Sequence, residues 1–266
     1  MRSPKVLPGV LTHLRRAGHV TLFLDYDGTL VPIAPTPPEA VPDAELLELL
    51  AALALRPALR LVILSGRPLD DLQRMLPVEG LILAGLYGVE VRMGGKVVAR
   101  GASPDGSRQT LARLRDGWVE LVGSLPGFFL EDKGQALALH ARWAEAEQAR
   151  RVLEAARRLA TGPMEAGSFR ILDGDRYIEV APLTADKGKT VNWLMAQYPV
   201  EGDLPLVFGD DNKDEAAFQA VHAHGGWAVG VGHRYPLPSA DLRLESPAAV
   251  RGWLRALLDP SQDSRT

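Results

Sequence analysis

The chain has 266 residues, of which 46% are hydrophobic and 24% charged, as in an ordinary globular protein of one or two domains. Its formal net charge of −3 removes the electrostatic argument for a general nucleic-acid binder. Cysteine is absent, which excludes disulfides, thiolate metal sites and cysteine nucleophiles. The first twenty residues predict a poor signal peptide, and no stretch is as apolar as a membrane span, so we expect a cytoplasmic protein.

Strands and helices alternate over the first hundred residues. The near-continuous apolar run at 20–24 is typical of a strand buried on both faces, and the DYDGTL string at 25–30 follows it directly. The other predicted elements are a helix at 42–55, a strand at 60–64, a helix beginning at Pro68, a strand at 81–84 and a hairpin of 89–92 with 96–99. This alternation predicts a doubly wound, mostly parallel sheet of the Rossmann-like α/β class.

The middle of the chain has a different pattern. It predicts a helix at 107–123, strands at 128–132 and 135–141, a helix at 143–160 and a hairpin of 169–172 with 176–180. The buried face of the second helix is expected to carry Ala149, Val152, Ala156 and Leu159. The order α-β-β-α-β-β predicts an α+β domain at 104–182, inserted into a core formed by 1–103 and 183–266.

Alternation resumes after this insertion. The predicted elements are a helix at 186–197, a strand at 204–208, a helix at 212–222, strands at 227–231 and 241–244, and a helix at 247–258. We therefore expect the first and last parts of the chain to share one sheet.

Acidic side chains follow two of the predicted core strands. The carboxyl ends of parallel strands meet at one edge of a sheet, where ligands bind, so these acids are expected to converge. Mutual repulsion favours a bound cation, and oxygen-only ligands favour Mg²⁺ first. The predicted metal ligands are Asp25, Asp27, Asp210, Asp211 and Asp214.

The same edge gathers groups suited to a phosphoryl group. Ser65 and Gly66 follow the second strand, and Lys187 lies at a helix start, a place that favours anions. Carboxylates are known to form aspartyl-phosphate intermediates, so Asp25 is the candidate nucleophile and Asp27 the candidate acid/base.

These motifs resemble those of the haloacid-dehalogenase-like (HAD) phosphohydrolases. In that superfamily the first Asp of the DYDGTL string attacks phosphorus, and the second protonates the leaving oxygen and then activates water. The resemblance assigns these roles to Asp25 and Asp27. It implies Mg²⁺ bound by Asp25, Asp210 and the backbone carbonyl of Asp27, and it implies that the insertion is the larger type of cap domain.

Within the insertion, the LEDKGQALALHAR segment at 130–142 is similar to the trehalose-6-phosphate phosphatase family. The resemblance implies a Mg²⁺-dependent phosphatase that hydrolyses trehalose 6-phosphate in trehalose biosynthesis. The expected substrate contacts are Arg67, Tyr87, Glu131, Lys133 and Glu179, whereas His140 and Arg142 are interpreted as solvated strand ends. Two positions depart from the family pattern: Tyr87 replaces a common His, and Lys213 a usual Thr.

Three alternatives stay open. The nearest is a phosphatase of the same fold for another sugar phosphate, of the sucrose, glucosylglycerol or mannosylglycerate type. A phosphorylated receiver module is disfavoured because its acidic pair precedes the phosphorylated Asp, and a non-catalytic sugar-phosphate sensor is disfavoured because Asp25 and Asp27 are both present. The expected partner is a small sugar phosphate, without nucleic acid or membrane, and the oligomeric state stays open with a monomer slightly favoured.

Overall fold

The computed structural model describes residues 17–100, 107–165, 167–174 and 176–258. Residues 1–16, for which no signal peptide is expected, and the predicted domain boundary at 103 and 104 lie outside these residues. Two compact units are present: Met1–Val98 with Asp186–Thr266, and Ala99–Ala185. No helix within the described ranges is long and apolar enough to cross a membrane.

The first unit contains an eight-stranded sheet. Its strands are β1 (His19–Leu24), β2 (Leu59–Leu64), β3 (Ile82–Gly85), β4 (Glu90–Met93), β5 (Lys96–Ala99), β10 (Asp203–Gly209), β11 (Trp227–Val231) and β12 (Leu242–Leu244). Their order in the sheet is β12-β11-β10-β1-β2-β3-β4-β5. The strands from β12 to β3 pair in parallel, whereas β4 pairs antiparallel to β3. The helices of this unit are α1 (Ala44–Ala54), α2 (Leu69–Met75), α5 (Lys187–Gln197), α6 (Glu215–Ala223) and α7 (Pro247–Ala256).

Both faces of this sheet are covered, which explains the continuous apolar runs of its strands. Leu22 and Leu24 belong to the hydrophobic cluster that includes α1, α2 and α7. Phe23, between them, belongs to the cluster on the opposite face, with α5 and α6. Successive side chains on a strand point to opposite faces, so the consecutive positions 22–24 of β1 are all apolar. The predicted α/β class with a mostly parallel sheet is confirmed.

The elements of the second unit are α3 (Ser107–Val122), β6 (Phe129–Asp132), β7 (Leu137–His140), α4 (Ala146–Glu165), β8 (Phe169–Gly174) and β9 (Tyr177–Pro182). Its strands form a four-stranded antiparallel sheet in the order β6-β7-β9-β8. Side chains of α3, α4, β7 and β9 share one buried cluster. One sheet face therefore packs on the helices, as the α-β-β-α-β-β order predicts.

Helix α4 begins later than predicted, and one position of its predicted buried face differs. The carboxylate of Glu145 accepts hydrogen bonds from the backbone N–H groups of Glu147 and Gln148, so the helix begins at Ala146 and not at 143. Ala149, Val152 and Ala156 are buried as expected, but Leu159 is 48% exposed, and Ala160 takes the next buried position. The expectation for Leu159 was wrong because a helical face continues from 156 at either i+3 or i+4.

The predicted helix at 212–222 is two elements. Residues Asn212–Asp214 form a 3₁₀ turn, and α6 follows at Glu215. The Asp211 side chain accepts from the N–H of Lys213, and the Asp214 side chain accepts from the N–H of Asp211. These two acids cap the turn reciprocally, which fixes the backbone of the acidic segment.

Candidate active site

Three predicted site segments follow neighbouring parallel strands. Asp25 follows β1, Ser65 follows β2, and Asp210 follows β10. Leu24 pairs in register with Phe208 on one side and Ile63 on the other, and the Asp25 N–H donates to the carbonyl of Phe208 at 3.1 Å. The carboxyl end of β1 is thus the centre of the site, as is usual in open α/β sheets.

A buried lysine joins two of the acids. Nζ of Lys187, the first residue of α5, lies 2.6 Å from Oδ1 of Asp25 and 2.5 Å from Oδ1 of Asp214. Lys187 is 4% exposed and Asp214 1% exposed. Burial lowers the pKa of Lys187, but the charges of Asp214, Asp25 and Asp211 outweigh it and raise the pKa above the ordinary value. The lysine is therefore a permanent cation at the centre of the acids.

One lysine does not neutralise the whole cluster. Burial, followed by the charges of Asp25, Asp214 and Asp211, raises the pKa of Asp210 to about 9. Burial also raises the pKa of Asp214 to about 7, against the lowering effect of Lys187. The pKa of the Asp25 carboxyl is raised by burial as well. The site thus carries an excess of buried acid that a further cation would stabilise.

The donor set fits a hard divalent cation. One carboxylate oxygen from each of Asp25, Asp210 and Asp214 lies within 4.8 Å of the others. Oδ2 of Asp25 is buried and has no hydrogen-bond partner among the described residues. Carboxylate oxygens are the ligands that Mg²⁺ prefers, so these residues fit the predicted ion.

Gly28 leaves room for the Asp210 carboxylate beside the DYDGTL segment. A Cβ atom at this position would lie 2.2 Å from Oδ2 of Asp210, and the backbone has φ of +89°. Only glycine combines that left-handed conformation with the missing side chain. The glycine of the DYDGTL string therefore has a direct role in admitting the Asp210 carboxylate.

Asp211, the fourth acid of the cluster, is paired differently. Its Oδ2 lies 3.2 Å from Nζ of Lys213. Burial raises the pKa of Asp211, but Lys213 and Lys187, with the hydrogen bond from the Lys213 N–H, bring it below its usual value. The three-oxygen group described above does not include Asp211, so its predicted metal contact stays a prediction.

Asp27 makes an ion pair with Arg67. Nε and Nη2 of Arg67 lie 2.7 Å from Oδ2 and Oδ1 of Asp27, so both carboxylate oxygens accept from the guanidinium. Arg67 is 6% exposed, whereas the Asp27 side chain is 37% exposed. The predicted contact of Arg67 with substrate, the metal contact of Asp27 and its acid/base role stay predictions.

Tyr87 connects several site segments. Its backbone N–H donates to the carbonyl of Ser65 at 2.7 Å, and its carbonyl accepts from Oγ1 of Thr190 in α5. Its ring lies against Gly66, where a Cβ would be 2.6 Å from the phenol oxygen. Nζ of Lys213 lies 3.5 Å from that oxygen, so the two positions that depart from the family pattern contact each other.

The second unit brings its three predicted sugar contacts together. Nζ of Lys133 donates to Oε1 of Glu179 at 2.9 Å and lies 3.8 Å from Oε2 of Glu131. The strands place Glu131 and Glu179 on the same row, each opposite Ala138 of β7. A carboxylate–ammonium cluster of this kind can hydrogen-bond sugar hydroxyls.

Two contributors to these clusters were not predicted. His140, interpreted from the sequence as a solvated strand end, has Nε2 at 3.0 Å from Oε2 of Glu131. Thr190, which was not singled out, is fully buried and holds the Tyr87 carbonyl. The available signal was spacing: Thr190 lies three residues after Lys187 on one helix, and His140 lies two residues after Ala138 on one strand face.

The fold is shared with a solved haloacid dehalogenase-like hydrolase. That structure, from Bacteroides thetaiotaomicron, superimposes with a TM-score of 0.63 at 16% identity and covers 90% of this chain and 99% of that one.

Known sequences and structures give the family. The trehalose-phosphatase family model matches residues 23–235. A probable trehalose-phosphate phosphatase of Sinorhizobium fredii is 32% identical over 243 residues, covering 89% of this chain and 86% of that protein. The trehalose-phosphate phosphatase of Mycobacterium marinum is 33% identical over 275 residues, and the match covers 94% of this chain but 65% of that protein. The C-terminal domain of Candida albicans trehalose-6-phosphate phosphatase superimposes with a TM-score of 0.85 at 25% identity, covering 95% of this chain and 96% of that one. The chain belongs to the trehalose-phosphatase family and is a phosphatase.

Proposed function

We propose that this enzyme hydrolyses trehalose 6-phosphate to trehalose and phosphate, with Mg²⁺ and through an aspartyl-phosphate on Asp25. The observation that carries the proposal is the meeting of Asp25, Lys187 and Asp210 at the carboxyl end of β1, in a chain of the trehalose-phosphatase family. A cytoplasmic location and a role in trehalose biosynthesis belong to the same proposal.

In the first step, a carboxylate oxygen of Asp25 forms a bond to phosphorus and the bond from phosphorus to the sugar oxygen breaks. Asp27 gives a proton to the departing oxygen. Lys187 holds the Asp25 carboxylate through Oδ1, and its charge offsets that of the incoming phosphoryl group. The Ser65 hydroxyl and the Gly66 backbone bind phosphoryl oxygens.

In the second step, a water molecule attacks phosphorus, Asp27 accepts its proton, and the bond from phosphorus to Asp25 breaks. Phosphate leaves and the Asp25 carboxylate is restored. Asp25, Asp210 and Asp214, with support from Asp27 and Asp211, would hold Mg²⁺, which would offset the buried acid charge and polarise a phosphoryl oxygen.

The substrate proposal rests on the second unit. We assign residues 104–182 the role of a cap domain that selects the sugar, with Glu131, Lys133 and Glu179 binding trehalose hydroxyls. Their hydrogen bonds and ion pairs pre-organise the cluster, and a site of paired polar groups discriminates strongly against sugars that leave those groups unpaired.

The test is phosphate release from a panel of sugar phosphates, with and without Mg²⁺. The panel contains trehalose 6-phosphate, sucrose 6-phosphate and glucosylglycerol phosphate. The expected result is a Mg²⁺-dependent preference for trehalose 6-phosphate that Asp25→Asn abolishes and Asp70→Asn, at an exposed position of α2, leaves intact. A preference for another sugar would overturn the substrate and leave the chemistry standing. Turnover by Asp25→Asn at the wild-type rate would overturn the mechanism.

A further inference from the structure

The Asp27 carboxylate is oriented by one arginine. Two parallel hydrogen bonds of 2.7 Å run from Nε and Nη2 of Arg67 to the two oxygens of Asp27. This fork-to-fork geometry fixes the plane of the carboxylate as well as its position, which a single hydrogen bond does not do.

Arg67 is itself held by several neighbours. Its Nη2 also donates to the carbonyl of Pro37 at 2.6 Å, and its guanidinium lies 5.2 Å from the centre of the Tyr26 ring. Its Nη1 contacts Sδ of Met75 at 3.5 Å, and its backbone N–H donates to Oγ of Ser65 at 3.2 Å. The arginine is therefore a fixed support rather than a mobile surface group.

Asp27 is exposed enough to need such a support. Its side chain is 37% exposed, whereas Arg67 is buried. Without the two hydrogen bonds from Arg67, the Asp27 side chain would sample several rotamers about χ1 and χ2, because an exposed carboxylate has several that are accessible.

We propose that Arg67 is a positioning residue for Asp27: it sets the direction from which the Asp27 carboxyl meets the leaving oxygen and the attacking water. The inference rests on the proposed acid/base role of Asp27 and deepens it. Misplacement of a catalytic group by about 1 Å costs on the order of a hundredfold in rate, so the orientation has kinetic consequences.

A positioning role for Arg67 predicts that the effect of its substitution on kcat/KM depends on the basicity of the leaving group. In the first step the bond from phosphorus to the ester oxygen breaks, and that oxygen needs the Asp27 proton in proportion to its basicity. A p-nitrophenolate leaves readily without a proton, whereas a phenolate is more basic and benefits from one. Removing the orientation of Asp27 should therefore slow phenyl phosphate more than p-nitrophenyl phosphate. Neither ester carries a sugar, so lost sugar contacts do not contribute.

The first experiment compares kcat/KM for these two esters in the wild type, Arg67→Lys and Arg67→Met. Lysine keeps the charge and the aliphatic stem but lacks the fork, so it tests orientation even where methionine prevents folding. General acid catalysis contributes about 10²–10⁴-fold, so we expect a fall of roughly tenfold or more for phenyl phosphate and less than about threefold for p-nitrophenyl phosphate. Arg74→Met, on the exposed side of α2, is the matched control and should leave both values unchanged.

The second experiment asks whether Arg67 acts through Asp27. Arg67→Lys is combined with Asp27→Asn, and thermal unfolding of each variant is recorded. We expect Arg67→Lys to lower kcat/KM for phenyl phosphate in the wild type and to add less than about twofold in the Asp27→Asn background, because coupled residues are not additive. An equal loss in both backgrounds, or an equal loss for both esters, would overturn the proposal.

The outcomes separate this inference from the proposed function. A wild type that hydrolyses the aryl esters but prefers another sugar phosphate would overturn the trehalose 6-phosphate assignment, and the Arg67 comparison would still decide its own question. A wild type without activity on any ester would overturn both.

Discussion

The excess of buried acid predicts that Asp210→Asn stabilises the metal-free protein. The pKa of the Asp210 carboxyl is raised from 3.8 to about 9, first by burial and then by the charges of Asp25, Asp214 and Asp211. Asparagine has nearly the same shape and no charge, so the substitution removes the electrostatic cost and keeps the packing against Gly28.

The sign and size of the effect follow from proton linkage. Between pH 3.8 and about 9, folded Asp210 binds a proton that the unfolded chain has released, so this group makes stability fall as the pH rises. At pH 7 the cost is 1.36 kcal/mol for each of the 7 − 3.8 pKa units, or about 4 kcal/mol. Asp210→Asn should therefore gain about 4 kcal/mol at pH 7 and close to nothing at pH 4.

The assay is urea unfolding in EDTA at several pH values between 4 and 7, repeated with Mg²⁺. Wild type should gain stability from Mg²⁺, by about 2.7 kcal/mol at one hundred times its Kd, whereas the variant should gain little and should lose activity. Asp70→Asn, on the exposed side of α2, should follow the wild-type pH profile. A variant that is no more stable than wild type at pH 7 in EDTA would refute this account of the cluster.

Three further predictions concern the same structure. Lys187→Met leaves buried carboxylates without their cation and should cost about 3–5 kcal/mol of unfolding free energy and abolish turnover, whereas exposed Lys189→Met should cost less than about 0.5 kcal/mol. Gly28→Ala places a Cβ atom 2.2 Å from Oδ2 of Asp210, so it should weaken Mg²⁺ activation at least about tenfold, measured by metal titration. Lys133→Met should raise KM for trehalose 6-phosphate about tenfold, with p-nitrophenyl phosphate turnover unchanged.

A specific result would contradict each of these three predictions. Equal stability losses for the two lysine variants would mean that the ion pairs of Lys187 contribute nothing beyond those of a surface residue. An unchanged Mg²⁺ titration in Gly28→Ala would show that the Asp210 carboxylate does not need its present position. Parallel changes on both esters in Lys133→Met would place its effect in folding of the second unit and not in sugar binding.

Much of the core was predictable from local pattern. The run from Val20 to Leu24 predicts a strand buried on both faces, and the alternation of Leu22, Phe23 and Leu24 between two clusters is the reason that the run is continuous. The helices and strands of the inserted segment were equally predictable, because helices and strands have different periods of hydrophobic residues. The approach of Asp25 and Asp210 was predictable in outline, because both follow apolar strands and parallel strand ends share an edge.

The sequence by itself determined which helices and strands form and which residue types follow them. The hydrophobic period, the helix caps and the turn residues that specify these elements all lie within a few positions of one another in the chain. Tertiary structure decided the rest: that β10 lies beside β1 across some 180 residues, that Arg67 binds Asp27, that Lys213 contacts Tyr87, and that Ala160 is buried where Leu159 was expected. Which residue a side chain contacts depends on segments that the whole sheet brings together. The local hydrophobic pattern of the sequence does not predict such long-range contacts.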